Sequence, residues 1–79
     1  MIYVYLLHSP STDQRYVGIT NDLKRRMVDH NAGKSRHTSK STPWRLVTYV
    51  AFDDQPKAEA FERYLKSGSG HAFARRHLW

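Results

Sequence analysis

The stretch RYVGITNDLKRRMVDH, residues 15–30, decides how the rest of the chain is read. Residues 15–19 have the β-branched and aromatic content of a short strand, with one glycine inside it. Thr20, Asn21 and Asp22 then supply side-chain oxygens of the kind that cap a helix N-terminus. Residues 23–30 have helical periodicity. Leu23 and Met27 recur one turn apart and mark a buried side, while Lys24 and Arg25 point elsewhere. This helix is expected to run to about Ala32, with Gly33 as its stop. A strand leading straight into a basic helix needs partner strands, because a lone strand leaves its backbone groups unpaired.

Working outward finds them. Upstream, IYVYLLH (residues 2–8) is bounded by SPSTDQ, which reads as a strand and then a turn. The short connection makes an antiparallel hairpin. Tyr3, Tyr5 and Leu7 fall on one face of it, and Ile2, Val4 and Leu6 on the other. Downstream, WRLVTYVAF (residues 44–52) is a third strand, ended by Asp53 and Asp54. Pro56 suits the first turn of a second helix that reaches about Lys66. SGSG (residues 67–70) reads as a break, and residues 71–78 as a short third helix carrying two arginines. KSRHTSKSTP (residues 34–43) reads as a mobile basic loop. The order is β-β-α-β-α-α. It predicts one α+β domain over residues 1–79, with a small three-stranded, mainly antiparallel sheet flanked by helices.

Bulk properties narrow the function. Seventy-nine residues allow one small domain with a thin core. There is no cysteine, hence no disulfide framework and no thiolate zinc site. No apolar run approaches the length of a membrane span, and no basic segment precedes the alternating N-terminal stretch, so a soluble cytoplasmic protein is expected. Thirteen Lys and Arg face seven Asp and Glu, for a net charge of +6 and a sequence pI near 10.0. Such a chain attracts polyanions, so nucleic acid is the expected partner and a membrane is not. The five histidines, at positions 8, 30, 37, 71 and 77, lack zinc-ligand spacing.

Several polar residues are aimed rather than scattered. At about 100° per residue, Ala58, Phe61 and Leu65 form the buried stripe of the second helix. Glu62 falls at the stripe's edge and Glu59 toward solvent. Glu62 is either a partly covered functional carboxylate or half of an ordinary surface pair with an arginine. Arg26 and His30, spaced i, i+4, share one face of the first helix. They either grip a phosphate, with the planar donor fork of Arg26, or merely cover apolar surface. Tyr5 and Tyr16 can share one face of the hairpin, as core aromatics or as acid–base groups or phosphate ligands. Gly18 marks a close backbone approach or a bulge.

Taken together, these pieces resemble the GIY-YIG endonuclease superfamily, and in particular its small stand-alone bacterial members. Tyr3-Val4-Tyr5 corresponds to the first motif and Tyr16-Val17-Gly18 to the second; Arg26, His30 and Glu62 complete the set. Tyr3 departs from the glycine of the name-giving motif. The extra DNA-binding domain of large members has no counterpart. Lys34, Arg36, Lys40, Arg75 and Arg76 are therefore the expected nucleic-acid contacts. The resemblance implies a metal-dependent endonuclease that hydrolyses phosphodiester bonds, in DNA more than in RNA, in repair or recombination. It implies that Glu62 ligates one divalent cation, Mg²⁺ or Mn²⁺, and that Arg26 binds the scissile phosphate. Tyr16 is the expected general base or water-positioning group, with Tyr5 in support. His30 is a third candidate, and which of the three takes the proton stays open. Gly18 is structural. The rival expectation is a non-catalytic nucleic-acid-binding module of the same fold, with stacking by Trp44 or Trp79.

Overall fold

The computed structural model describes residues 1–79. Its elements are β1 (Ile2–Ser9), β2 (Gln14–Thr20), α1 (Leu23–Asn31), β3 (Arg45–Phe52), α2 (Gln55–Leu65) and α3 (Gly68–His77), with a single 3₁₀ turn at Ser39–Ser41. The β-β-α-β-α-α order is the one expected. The sheet runs β2-β1-β3, and both pairings are antiparallel.

The first strand takes the central position, and this explains its composition. An edge strand or a half-solvated one alternates apolar and polar residues. Val4, Tyr5, Leu6 and Leu7 are consecutive and all are buried, because the sheet is covered on both faces. Val4 and Leu6 pack on Ala58 and Leu65 of α2 and Ala74 of α3. Tyr5 and Leu7 pack with Trp44, and with Tyr16, Leu23, Met27 and Leu46 around them. So α2 and α3 cover one face, and α1 with the segment leading to β3 covers the other. A register shift between Leu6 and Leu7 in the β1–β3 pairing sets Leu46 opposite Leu7, on the α1 face.

Local chemistry accounts for the boundaries. The Asp22 side chain accepts from the Arg25 N–H and caps α1, and Asp54 does the same for α2 through the Lys57 N–H. Pro56 lies in the first turn of α2 as expected. Ala32 closes α1, and Gly33 follows with φ +75°, the left-handed conformation that glycine tolerates best.

Two expectations are corrected. The break expected at SGSG is confined to Lys66 and Ser67. The Ser67 hydroxyl accepts from the Gly70 N–H and caps α3, which starts at Gly68 rather than at residue 71. A side chain at Gly70 would collide with the Tyr64 carbonyl and the Leu65 Cα, so this glycine is needed for α3 to begin tightly against the end of α2. Residues 34–43 are not a plain exposed loop either. Ser35 and Thr38 are buried, and the Ser9 hydroxyl donates to the Ser41 carbonyl at 2.6 Å. The Trp44 indole N–H donates to the Thr38 carbonyl at 2.8 Å, and Asn31 bonds both the N–H and the carbonyl of Trp44. A polar segment without apolar residues reads as mobile. This one is held by hydrogen bonds instead.

Candidate active site

Tyr5 pairs directly with Gly18 across the hairpin, so both face the α1 side of the sheet. A Cβ at position 18 would overlap the Tyr5 hydroxyl and crowd the Tyr16 ring. The glycine thus makes room for a tyrosine ring to lie flat across its neighbouring strand. That placement carries the Tyr5 hydroxyl to α1, where it meets two side chains spaced one helical turn apart. Tyr5 Oη lies 2.9 Å from His30 Nε2, and Arg26 Nε donates to it at 3.4 Å. The Tyr16 ring completes the group, with its centroid 5.2 Å from that of His30 and 6.3 Å from that of Tyr5. Four of the expected residues therefore converge on one spot.

The proton positions follow from counting donors. Arg26 can only donate, so the single proton of the buried Tyr5 hydroxyl goes to His30 Nε2. The neutral imidazole then carries its proton on Nδ1 and donates it to Thr38 Oγ1 at 2.7 Å. Thr38 is itself fully buried. Burial first, and the Arg26 guanidinium second, hold His30 below its ordinary value of 6.5. Burial pushes the Tyr5 phenol up from its ordinary value, against the lowering pull of the Arg26 hydrogen bond. The same bond to Tyr5 raises Arg26. At neutral pH the cluster is a neutral phenol, a neutral imidazole and a guanidinium cation. Because His30 is fully buried and both its nitrogens are engaged, the phosphate grip expected of the Arg26–His30 pair falls to Arg26 alone.

Glu62 stands at the border of this group. Its side chain is 20% exposed, and Lys66 Nζ donates to its Oε2 at 2.8 Å, an i, i+4 pair within α2 and its C-cap. The partner is a lysine, not the arginine weighed from the sequence. Glu62 is near enough for its charge to contribute to raising the Tyr5 phenol, as the smallest of the causes. Glu59 points to solvent and bonds Gln55. No three His, Asp, Glu or Cys side chains come together to hold a metal ion.

The expected nucleic-acid contacts separate into two places. Lys34, Arg36 and Lys40 lie on the segment between α1 and β3, and Arg75 and Arg76 are exposed on α3. Arg75 shares a cleft of about 520 Å³ with Tyr16. Thr38 was missed from the sequence. Its only signal is a hydroxyl eight residues beyond His30, inside a run rich in hydroxyls.

Residues 1–75 match the GIY-YIG catalytic domain. The chain belongs to the GIY-YIG family. A UPF0213 protein of Haloquadratum walsbyi is 38% identical over 66 residues, a match that covers 82% of this chain and 73% of the relative. A structure-specific endonuclease subunit SLX1 homolog of Drosophila mojavensis is 44% identical over 69 residues, covering 75% of this chain but 23% of that longer protein. The solution structure of a UPF0213 protein from Bacillus halodurans superposes with a TM-score of 0.58 at 31% identity, covering 96% of this chain and 84% of that one. As a GIY-YIG domain the chain is of a nuclease type, and the Tyr5–His30–Arg26 cluster lies between its two tyrosine motifs and its first helix.

Proposed function

We propose that this GIY-YIG domain is a metal-dependent endonuclease that hydrolyses phosphodiester bonds in DNA. One observation carries the reading. Tyr5 ties Arg26 through its Nε alone, so the guanidinium is aimed while its terminal nitrogens stay available for a phosphate. A snorkelling surface arginine has no need of a buried phenol as its anchor.

The residues divide the work. Arg26 binds the scissile phosphate and offsets the charge that grows on it. Tyr5 acts on Arg26 rather than on water, since its hydroxyl is buried and donates to His30. His30 holds that proton and thereby turns the Tyr5 lone pairs toward Arg26. Tyr16 is the phenol left to face the reaction. It is half-buried, and it lines the cleft outside the cluster. It positions the attacking water, and to take that water's proton it would act as the phenolate. The donor set fits a weakly held hard cation, because one carboxylate completed by water and substrate oxygens is a usual Mg²⁺ arrangement. Glu62 would hold Mg²⁺ or Mn²⁺, which when bound relieves charge on the phosphoryl and leaving oxygens. Lys66 competes for that carboxylate until substrate arrives.

The relative named a structure-specific endonuclease subunit supports the endonuclease reading, and repair or recombination is the setting we propose for it. No helix is long and apolar enough to cross a membrane. The cytoplasm is the compartment we propose, on the composition of the chain. The rival, a binding module without catalysis, draws on the Glu62–Lys66 pair and on the lack of any group of three or more His, Asp, Glu or Cys side chains that could hold a metal. Purified protein on labelled branched, single-stranded and duplex DNA separates the two. Cutting with Mg²⁺ or Mn²⁺, and none in EDTA, is expected. Glu62→Ala should drop cutting to background while DNA binding stays intact, since a negative charge has been removed. A variant that cuts like its parent would show that Glu62 holds no metal.

A further inference from the structure

We infer that the cleft beside Tyr16 is a binding site for one unpaired DNA nucleotide next to the cut. Its place at the cut rests on the nuclease reading; its affinity for DNA does not. The cleft lies between β2, the end of α2, and α3. Arg15, Lys66, His71 and Arg75 line it, and no Asp or Glu side chain does. Lys66 is neutralised in part by Glu62, but neither Arg15 nor Arg75 belongs to an ion pair. Two guanidinium groups without a carboxylate partner thus line one cleft from two elements, β2 and α3. A phosphate is the anion this basic chain is expected to meet there.

The remaining features point to a nucleotide rather than a bare phosphate. Trp79 forms part of the wall, and the Arg15 guanidinium lies over its ring at 5.0 Å. The indole holds the guanidinium in place, and the outer face of a guanidinium is the kind of flat surface on which an exposed base stacks. The volume, about 520 Å³, falls within the range of small-ligand sites and is far too small to admit a base-paired helix. A base inside a duplex is stacked on both faces and cannot present one to such a wall. An unpaired one can. Tyr16, on the edge strand β2, belongs to both the cleft and the catalytic cluster, so the two adjoin at that residue. The implied substrate class is DNA with single-stranded character beside the scissile phosphate.

The test uses the whole chain in EDTA, where binding is read without cutting. Fluorescence anisotropy compares a labelled blunt duplex with the same duplex bearing a short unpaired tail. The tail should tighten binding about ten-fold, the scale of one base stacked on an aromatic side chain. Trp79→Ala should erase that preference. Because Trp79 also packs on the core, Arg15→Ala combined with Arg75→Ala provides a second variant with both changes on exposed residues. It too should lose the preference. Equal affinity for tailed and blunt DNA, or a preference that survives in the double variant, overturns the inference. Cutting assays with metal keep the two readings apart. Cutting without any tail preference removes the cleft and leaves the nuclease. A tail preference in EDTA without cutting on any substrate keeps the cleft and removes the nuclease.

Discussion

The two faces of the sheet are built by different physics, although the same strand supplies both. Val4 and Leu6 point into an aliphatic layer with Ala58, Leu65 and Ala74. Tyr5 and Leu7 point into a layer of aromatic rings and hydrogen bonds that includes Trp44, Tyr16, His30 and Thr38. On the first face, contact is non-directional, and any side chain of the right volume will serve. On the second, each buried polar atom has a designated partner. Deleting one strands the other, and that costs more than the bond itself contributes. The aliphatic face therefore sets stability. The polar face sets the aim of Arg26.

Substitutions on the two faces should separate these roles. Leu6→Ala removes volume from the aliphatic layer and should cost about 2–5 kcal/mol of stability. Its cleavage rate per folded molecule should equal the parent's, read at a temperature where both are folded. Tyr5→Phe keeps the ring but strips Arg26 and His30 of their shared partner. It should cost less, about 1–3 kcal/mol, through unsatisfied buried groups. Yet cleavage should fall sharply because Arg26 is no longer anchored. Urea titrations give the stabilities and single-turnover cleavage gives the rates. If both variants lose rate in proportion to stability, the division between the faces is wrong.

Thr38 sharpens the comparison from one step further out. Thr38→Val is close to isosteric and leaves the His30 Nδ1 proton without an acceptor. Stability should fall by about 1–3 kcal/mol, at or below the Tyr5→Phe value. Cleavage should fall as well, since His30 can then shift its proton and release Tyr5. Thr38→Ser keeps the hydroxyl and should restore the rate. A serine variant as slow as the valine variant would make Thr38 a packing residue only.

These residues also mark how far a sequence can be read. The sheet is legible because β1 is a run of β-branched, aromatic and aliphatic residues bounded by a short turn. The helices are legible because Asp22, Pro56 and Gly33 are strong local punctuation. Arg26, His30 and Glu62 stand out by helical spacing, but their grouping with Tyr5 and Tyr16 comes from family resemblance, since the two tyrosines alone read equally well as core aromatics. The hidden parts depend on tertiary contacts. Thr38 and the anchoring of residues 34–43 depend on side-chain hydrogen bonds, which follow no period. Gly70 reads as a helix breaker because composition does not reveal that a neighbouring helix end must pass where a side chain would be. The lysine on Glu62 is visible at i+4, yet an arginine is the partner the sequence reading favours.

The polar face should also leave a small signature in pH. His30 is held below its ordinary value of 6.5 by burial and by Arg26, with Asp29 opposing; Tyr5 and Thr38, which also face it, are uncharged. Above 6.5 both the folded and the unfolded chain carry a neutral imidazole, so this group adds no slope. Below 6.5 the unfolded chain takes up a proton that the folded one resists. Stability should therefore decline as pH falls from 6.5 toward the depressed folded value. Asp13 shifts in the same sense, lowered by its bond to His8, but its contribution is lost only below its ordinary 3.8. The two windows do not overlap at their upper ends. His30→Gln carries no charge at any pH and keeps an amide that can bond on both sides. Urea midpoints taken between about pH 7 and pH 5 should fall in the parent and stay level in the variant. Parallel lines would mean that the folded protein protonates His30 freely, which is incompatible with an imidazole that accepts from Tyr5.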